Sequence, residues 1–302
     1  MKKYLRLMPL LVLLAALLCG CGKKGQTAPA EPDEPEPTVI VEETTSVFCS
    51  DGSKTLRFRR DDDGKWLWID DVSFPLNGEY VAELIAAAQE LEALAPLPQA
   101  DGPEACGLIG AKSYLRLTRS DGSEVTYYLG NSTDGGYYCN STGNEQQIRV
   151  APERIMALLG RNIYDMALLP QFPDLSAGQI RSAAITRNDA TDHLAVSRGK
   201  WSRGGQDVSG EEQVSKLAAG LETLAVLKCV DYAPAAGAAE VCGLEPPAAI
   251  LVLELDKTKL TLRIGGYDPS GEGYFVTIDD DTTIYLMGGE VPALLTNWST
   301  GK

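Results

Sequence analysis

From about Val47 onward, apolar and polar positions alternate with strand period or recur with helical period. Thr55-Leu56-Arg57-Phe58-Arg59 alternates as a strand, and Asp61-Asp62-Asp63-Gly64 reads as the turn into Lys65-Trp66-Leu67-Trp68-Ile69. Val81, Leu84, Ile85, Ala88, Leu91 and Leu94 fall at helical spacing and predict a helix from about Glu79 that Pro96 and Pro98 terminate. Pro103-Glu104-Ala105-Cys106 reads as a short helical turn closed by Gly107, with Leu108 folding back onto it. Leu115 and Leu117, the turn at Asp121-Gly122, and Val125, Tyr127 and Leu129 predict a β-hairpin. A polar loop from Asn131 to Gly136 leads to strands at Tyr137-Tyr138-Cys139 and Ile148-Arg149-Val150, and Pro152 opens a helix running through Ile163.

The second half follows the same order. Strands are expected at Ile180 to Thr186, Leu194 to Val196 and Trp201. Ser209 with Glu212 forms a capping box for a helix from Val214 to Leu224. A linker rich in alanine and proline reaches Cys242, followed by strands at Ile250 to Leu255, Lys259 to Ile264, Tyr274 to Ile278 and Thr283 to Leu286, and a short helix at Val291 to Leu295. Local motifs recur with this order. Cys106-Gly107-Leu108 matches Cys242-Gly243-Leu244. Leu129-Gly130 matches Ile264-Gly265, Gly136-Tyr137 matches Gly273-Tyr274, and Lys65-Trp66 matches Lys200-Trp201. Leu91 to Leu97 and Leu221 to Leu227 share five of seven residues. These similarities, in one order, point to an internal duplication. The expected fold is α+β: two tandem repeats, each an antiparallel sheet or meander with a packed α-helix, over residues 46–168 and 169–302.

The N-terminal residues lead to the expectation that these repeats lie outside the cytoplasm. Met1-Lys2-Lys3 is a basic start, and Leu10 to Leu18 is an apolar run too short to be a typical spanning helix. Leu18-Cys19-Gly20-Cys21 has the form of a bacterial lipobox, so residues 1–20 read as a signal peptide and Cys21 as the lipidated residue. An ordinary secretory cleavage nearby, or an uncleaved anchor, is the competing reading. Residues 21–45 alternate proline with acid as an extended tether, whose polyproline rise of ~3.1 Å per residue would give a reach of up to ~70 Å. Apolar residues make up 44% of the 302, a globular composition. The formal charge of −15 repels phosphate backbones, which argues against nucleic acid; a cationic peptide, a basic protein face or a divalent ion remains compatible. Beyond the leader, Cys49, Cys106, Cys139, Cys229 and Cys242 are odd in number, and buried free thiols are the favoured reading.

Catalytic constellations are sparse. His193 is the single histidine, among Asp189, Asp192 and Arg198, and reads as exposed. Ser197 and Lys200 have Ser-x-x-Lys spacing but head into a strand, without companion motifs. The acidic turns at Asp61 to Asp63 and Asp279 to Asp281 lack the spaced ligands of a calcium loop, so no metal or cofactor is expected. The best ligand candidates are the paired loops after Gly130 and Gly265. One holds Asn131, Ser132, Asp134 and Tyr137; the other holds Tyr267, Asp268, Glu272 and Tyr274. Such groups suit sugars or peptides, although ordinary hairpin loops carry the same residues.

The lipobox leader, the tandem copies with a tryptophan strand, the Cys-Gly-Leu turn before a hairpin, the Ile-Gly strand end and the Gly-Tyr restart resemble the bacterial domain of unknown function 4340 family over roughly residues 47 to 298. Cysteine stands here where that pattern has tyrosine before Gly-Leu. The resemblance implies an envelope protein, in some members associated with ABC-type transporter systems, and carries no catalytic residue. The expectation is a non-catalytic lipoprotein, held to the membrane by Cys21, that binds an envelope or membrane protein partner. A solute- or glycan-binding lipoprotein with its ligand between the repeats is the alternative, and an envelope hydrolase a weaker one.

Overall fold

The computed structural model describes residues 43–300. The predicted leader, the lipidation residue Cys21 and the tether as far as residue 42 lie outside the described residues.

Each half of the described chain is one antiparallel sheet with its longer helices on one face and a short helical turn over the other. The first lobe holds β1 (Thr44–Asp51), β2 (Thr55–Arg60), β3 (Trp66–Trp68), α1 (Glu79–Ala93), β4 (Ser113–Arg119), β5 (Glu124–Thr133), β6 (Gly136–Ser141), β7 (Arg149–Pro152) and α2 (Glu153–Leu159). A 3-10 turn, Ile163–Met166, closes it. The second lobe holds β8 (Ile180–Arg187), β9 (Ala190–Ser197), β10 (Lys200–Arg203), β11 (Gln206–Asp207), α3 (Glu212–Leu221), β12 (Val226–Asp231), α4 (Ala238–Val241), β13 (Ala249–Leu255), β14 (Lys259–Tyr267), β15 (Tyr274–Ile278), β16 (Ile284–Met287) and α5 (Glu290–Thr296). The first sheet is ordered β3-β2-β1-β4-β5-β6-β7 and the second β11-β10-β9-β8-β13-β14-β15-β16-β12. Without the edge strands β11 and β12, the two orders coincide. The fold is α+β.

Helical and strand periodicities converge on one continuous core. Val81, Leu84, Ile85, Ala88 and Leu91 of α1 are buried, and the helix packs on β1 and β4. Cys49, at the centre of the first sheet, lies between Leu56 and Leu115. In the second lobe, α3 packs on α5, and α5 on β8, β13 and β14. Trp66 and Trp201, the recurring tryptophans, are both buried.

Three local expectations differ from the structure. The capping box at Ser209 does not form. α3 begins after Glu211 with no side-chain cap, while Ser209 Oγ accepts a hydrogen bond from Trp201 N at 2.9 Å. The backbone of a buried β10 residue has the first demand on that hydroxyl. The helix from Pro152 stops at Gly160, and Asn162 caps the separate 3-10 turn by accepting from Tyr164 N. The segment after Leu224 contains β12 rather than a plain linker. Its counterpart in the first lobe has Pro96 where β12 has Val226. Proline supplies no ladder N–H, and that segment is reduced to one bond, Leu97 N to Ile148 O at 2.8 Å.

The lobes meet where β12 packs on the 3-10 turn. Phe74, 2% exposed, is the aromatic hub. Trp68 and Tyr164 approach it from the first lobe, and Tyr232 from the second at a 5.4 Å ring separation. The Tyr232 hydroxyl donates to Ser73 O at 2.9 Å.

A buried polar latch holds the far end of the second lobe. Asp192, on β9 and 5% exposed, accepts two hydrogen bonds from Arg203, each at 2.9 Å. Trp298 Nε1 donates to the same carboxylate at 3.1 Å, and Glu211 holds the other side of Arg203. Asp192→Ala leaves the Trp298 indole N–H and two of the three Arg203 guanidinium nitrogens without their acceptor, while Glu211 still holds the third. We expect a loss of about 3 kcal/mol, measured by urea unfolding.

Candidate functional site

The recurring Cys-Gly-Leu segment is a structural clamp. Each copy ends a helical turn in a Schellman closure: Leu108 N donates to Pro103 O, and Leu244 N to Ala239 O, both at 2.8 Å. Gly107 and Gly243 take φ of +71° and +68°, the left-handed conformation this closure requires. The turn then docks on the following hairpin. Cys106 O accepts from Asn131 N at 2.9 Å, and Cys242 O from Gly266 N at 2.8 Å. The pairing register of β5 with β6, and of β14 with β15, shifts at these positions. A Cβ on Gly130 or Gly265 would collide with the docked cysteine carbonyl, so neither position has room for a side chain.

This clamp accounts for much of the first candidate loop. Asn131 and Ser132 are not loop residues: β5 continues through Thr133, and the turn is Asp134-Gly135. The Asn131 side chain donates to Ala105 O at 3.2 Å, so its amide braces the clamp. Ser132 pairs with Tyr137, whose half-buried ring packs on the core, and Asp134 is exposed. The second candidate segment is closed on itself. The Tyr267 and Tyr274 rings meet edge to face at 4.9 Å, and the Tyr267 hydroxyl donates to Gly271 O at 2.7 Å. Asp268 N donates to Gly273 O at 2.7 Å, its carboxylate accepts from Ser270, and Glu272 pairs with Lys228 of β12. Among the described residues, no hydrogen bond or ring contact joins the two candidate segments.

The remaining chemistry-bearing residues are dispersed. His193 stands exposed on β9. Ser197 and Lys200 flank a two-residue turn; Lys200 Nζ lies 3.5 Å from Asp207, and no hydrogen bond links it to Ser197. Asp61 Oδ1 accepts from Asp63 N and Lys65 N. Among the described residues, no three of His, Cys, Asp and Glu gather as metal ligands, and no helix is long and apolar enough to cross a membrane.

A cleft of about 730 Å³ opens on the second lobe, on the sheet face away from α3 and α5. Its floor is a cross-strand row: Ile250 of β13 opposite Arg263 of β14, and Arg263 opposite Thr277 of β15. These side chains alternate with the core residues Leu251, Leu262, Ile264, Val276 and Ile278. Pro246 and Pro247 form one wall, in a turn pinned by Ala248 N to Ile264 O at 2.8 Å. Pro234 to Gly237 add an apolar side, and Glu245, Asp280 and Asp281 bring carboxylates. Asp279, at φ 54°, closes the strand turn: its carboxylate accepts from Thr261 N, and its carbonyl from Arg263 Nη1, both at 2.7 Å. Asp281 accepts from Thr283 N and the Tyr285 hydroxyl, and burial with this carboxylate pushes Tyr285 up to about 12. The corresponding row of the first lobe is Tyr114, Tyr128 and Asn140. There Tyr128 and Tyr138 pack on Cys106, Leu108 and Ile148. Sequence reasoning missed the cleft, because its floor is drawn from three separated strands. Its one available signal was Arg263 at an outward position of β14, where the first lobe has Tyr128.

All five described cysteines are free thiols, with Cys242 half-buried and the others buried. Burial pushes Cys49 up to about 12, and Cys139 and Cys229 up to about 11. Partial burial, then Asp231 and Asp268, raise Cys242. With Cys19 and Cys21 replaced by serine, maleimide should label Cys242 first. Its rate should still climb about tenfold per pH unit between pH 7.5 and 8.5, because the thiolate remains the minor form. Labelling of a buried cysteine first would contradict this. For the clamp, Gly130→Ala and Gly265→Ala should each cost about 2 kcal/mol in urea unfolding. Gly102→Ala, which meets nothing within 4 Å, is the neutral control.

No curated protein and no solved structure matches the chain. The sequence model described as Domain of unknown function (DUF4340) matches residues 66–247, from β3 to the proline wall of the cleft. With more than half of its length matched, the chain belongs to the DUF4340 family.

Proposed function

We propose that this protein is a non-catalytic binding component of the bacterial envelope, held to the outer surface of a membrane by a lipid on Cys21. The residue-21–45 tether extends the body toward a protein partner in a membrane complex of transporter type. The observation that carries the binding role is the cleft: the second lobe keeps open a sheet face that the first lobe fills with tyrosine. The shared strand order and recurring clamp support descent of both lobes from one duplicated unit. The cleft also favours the solute-binding reading, with the ligand in the second lobe rather than between the lobes. The hydrolase reading draws less support, since among the described residues no side-chain hydrogen bond joins Ser197 to Lys200, and the Lys200 ammonium faces Asp207.

Cross-linking the intact protein in its native membrane, followed by identification of what co-purifies, tests this role. A single membrane complex should be recovered, and Cys21→Ser should release the protein from the membrane fraction and lose that complex. Persistence of Cys21→Ser in the membrane, with the same recovery, would overturn the anchor.

A further inference from the structure

The cleft on the second lobe carries both signs of charge. Arg263 is the cation of its floor. One guanidinium nitrogen is committed to Asp279 O, and among the described residues the others have no partner. Two of the carboxylates, Glu245 and Asp280, are exposed and likewise unpaired among the described residues. Asp281 is occupied by Thr283 and Tyr285.

That arrangement discriminates among ligands. A simple anion would meet Arg263 but also the acidic rim. A polyamine would meet the rim but also the guanidinium. A molecule with a carboxylate at one end and an ammonium some distance away satisfies both, because each charge finds its opposite and like charges stay apart. Arg263 can offer a carboxylate two parallel N–H donors. Pro246 and Pro247 present apolar surface without backbone donors, and about 730 Å³ lies within the range of sites for small organic ligands. We propose that the second lobe binds short peptides with a free C-terminal carboxylate and a basic side chain. The carboxylate lies on Arg263 and the basic group on the rim of Glu245 and Asp280. This rests on the binding role proposed above and names its ligand class.

Titration calorimetry on the detergent-solubilised full chain tests it. The probes, all N-acetylated so that the lysine side chain supplies the one ammonium, are the tripeptide Ala-Lys-Ala, its C-terminal amide, and Ala-Ala-Ala. Ala-Lys-Ala should bind saturably, with the amide and Ala-Ala-Ala each about tenfold weaker. Arg263→Gln should weaken the free acid about tenfold and abolish its advantage over the amide, while Arg263→Lys retains part of that advantage. Glu245→Gln with Asp280→Asn should remove the preference for lysine over alanine. Thermal unfolding of each variant close to wild type shows that the fold is intact. Equal binding of acid and amide, an unchanged Arg263→Gln, or no saturable binding of any probe overturns the ligand class. If that chain still cross-links to one membrane complex, the wider binding role stands and this ligand class alone fails.

Discussion

The structure depends on one close approach made twice: a helix-ending carbonyl pressed against a glycine in the neighbouring strand. Cys106 O at Gly130 and Cys242 O at Gly265 leave no room for a side chain. The same carbonyls accept the next backbone N–H, so a buried acceptor is satisfied as the strand register shifts. This contact fixes the crossing segment over the outer sheet face. In the first lobe it seats Cys106 and Leu108 among tyrosines; in the second it sets the wall of a cleft. One backbone device therefore supports two different surfaces, and the side chains on three strands decide which results.

Much of the architecture could be read in the residues because its causes are local. The apolar stripe of α1, the alternation of β4 and β5 and the glycine closure after Cys106 each follow from a short stretch of chain. The interpretations that changed involve partners far away in sequence. Asn131 looks like a ligand residue beside a glycine, yet its amide is bound to Ala105 O. Ser209 has capping spacing, yet its hydroxyl serves Trp201. β12 was obscured by its alanine- and proline-rich surroundings, although Val226, standing where the first half has Pro96, was a usable signal.

The cleft shows the limit of sequence reading most clearly. Ile250, Arg263 and Thr277 become neighbours only when β13, β14 and β15 align. The acidic run from Asp279 to Asp281 divides by geometry into distinct tasks. Asp279 closes a strand turn, Asp281 takes a buried tyrosine hydroxyl, and Asp280 is left to the solvent. Three adjacent, identical letters gave no hint of that division.

The joint between the lobes is head-to-tail: β12 of the second meets the 3-10 turn of the first. A heterologous contact of this kind, repeated, builds open filaments. Continuing the series would require the first lobe to offer an equivalent edge strand to the end of another molecule. Pro96 removes that strand, leaving the single bond from Leu97 to Ile148. The proline thus leaves that edge of the first lobe without the ladder strand that a second copy of this joint would use.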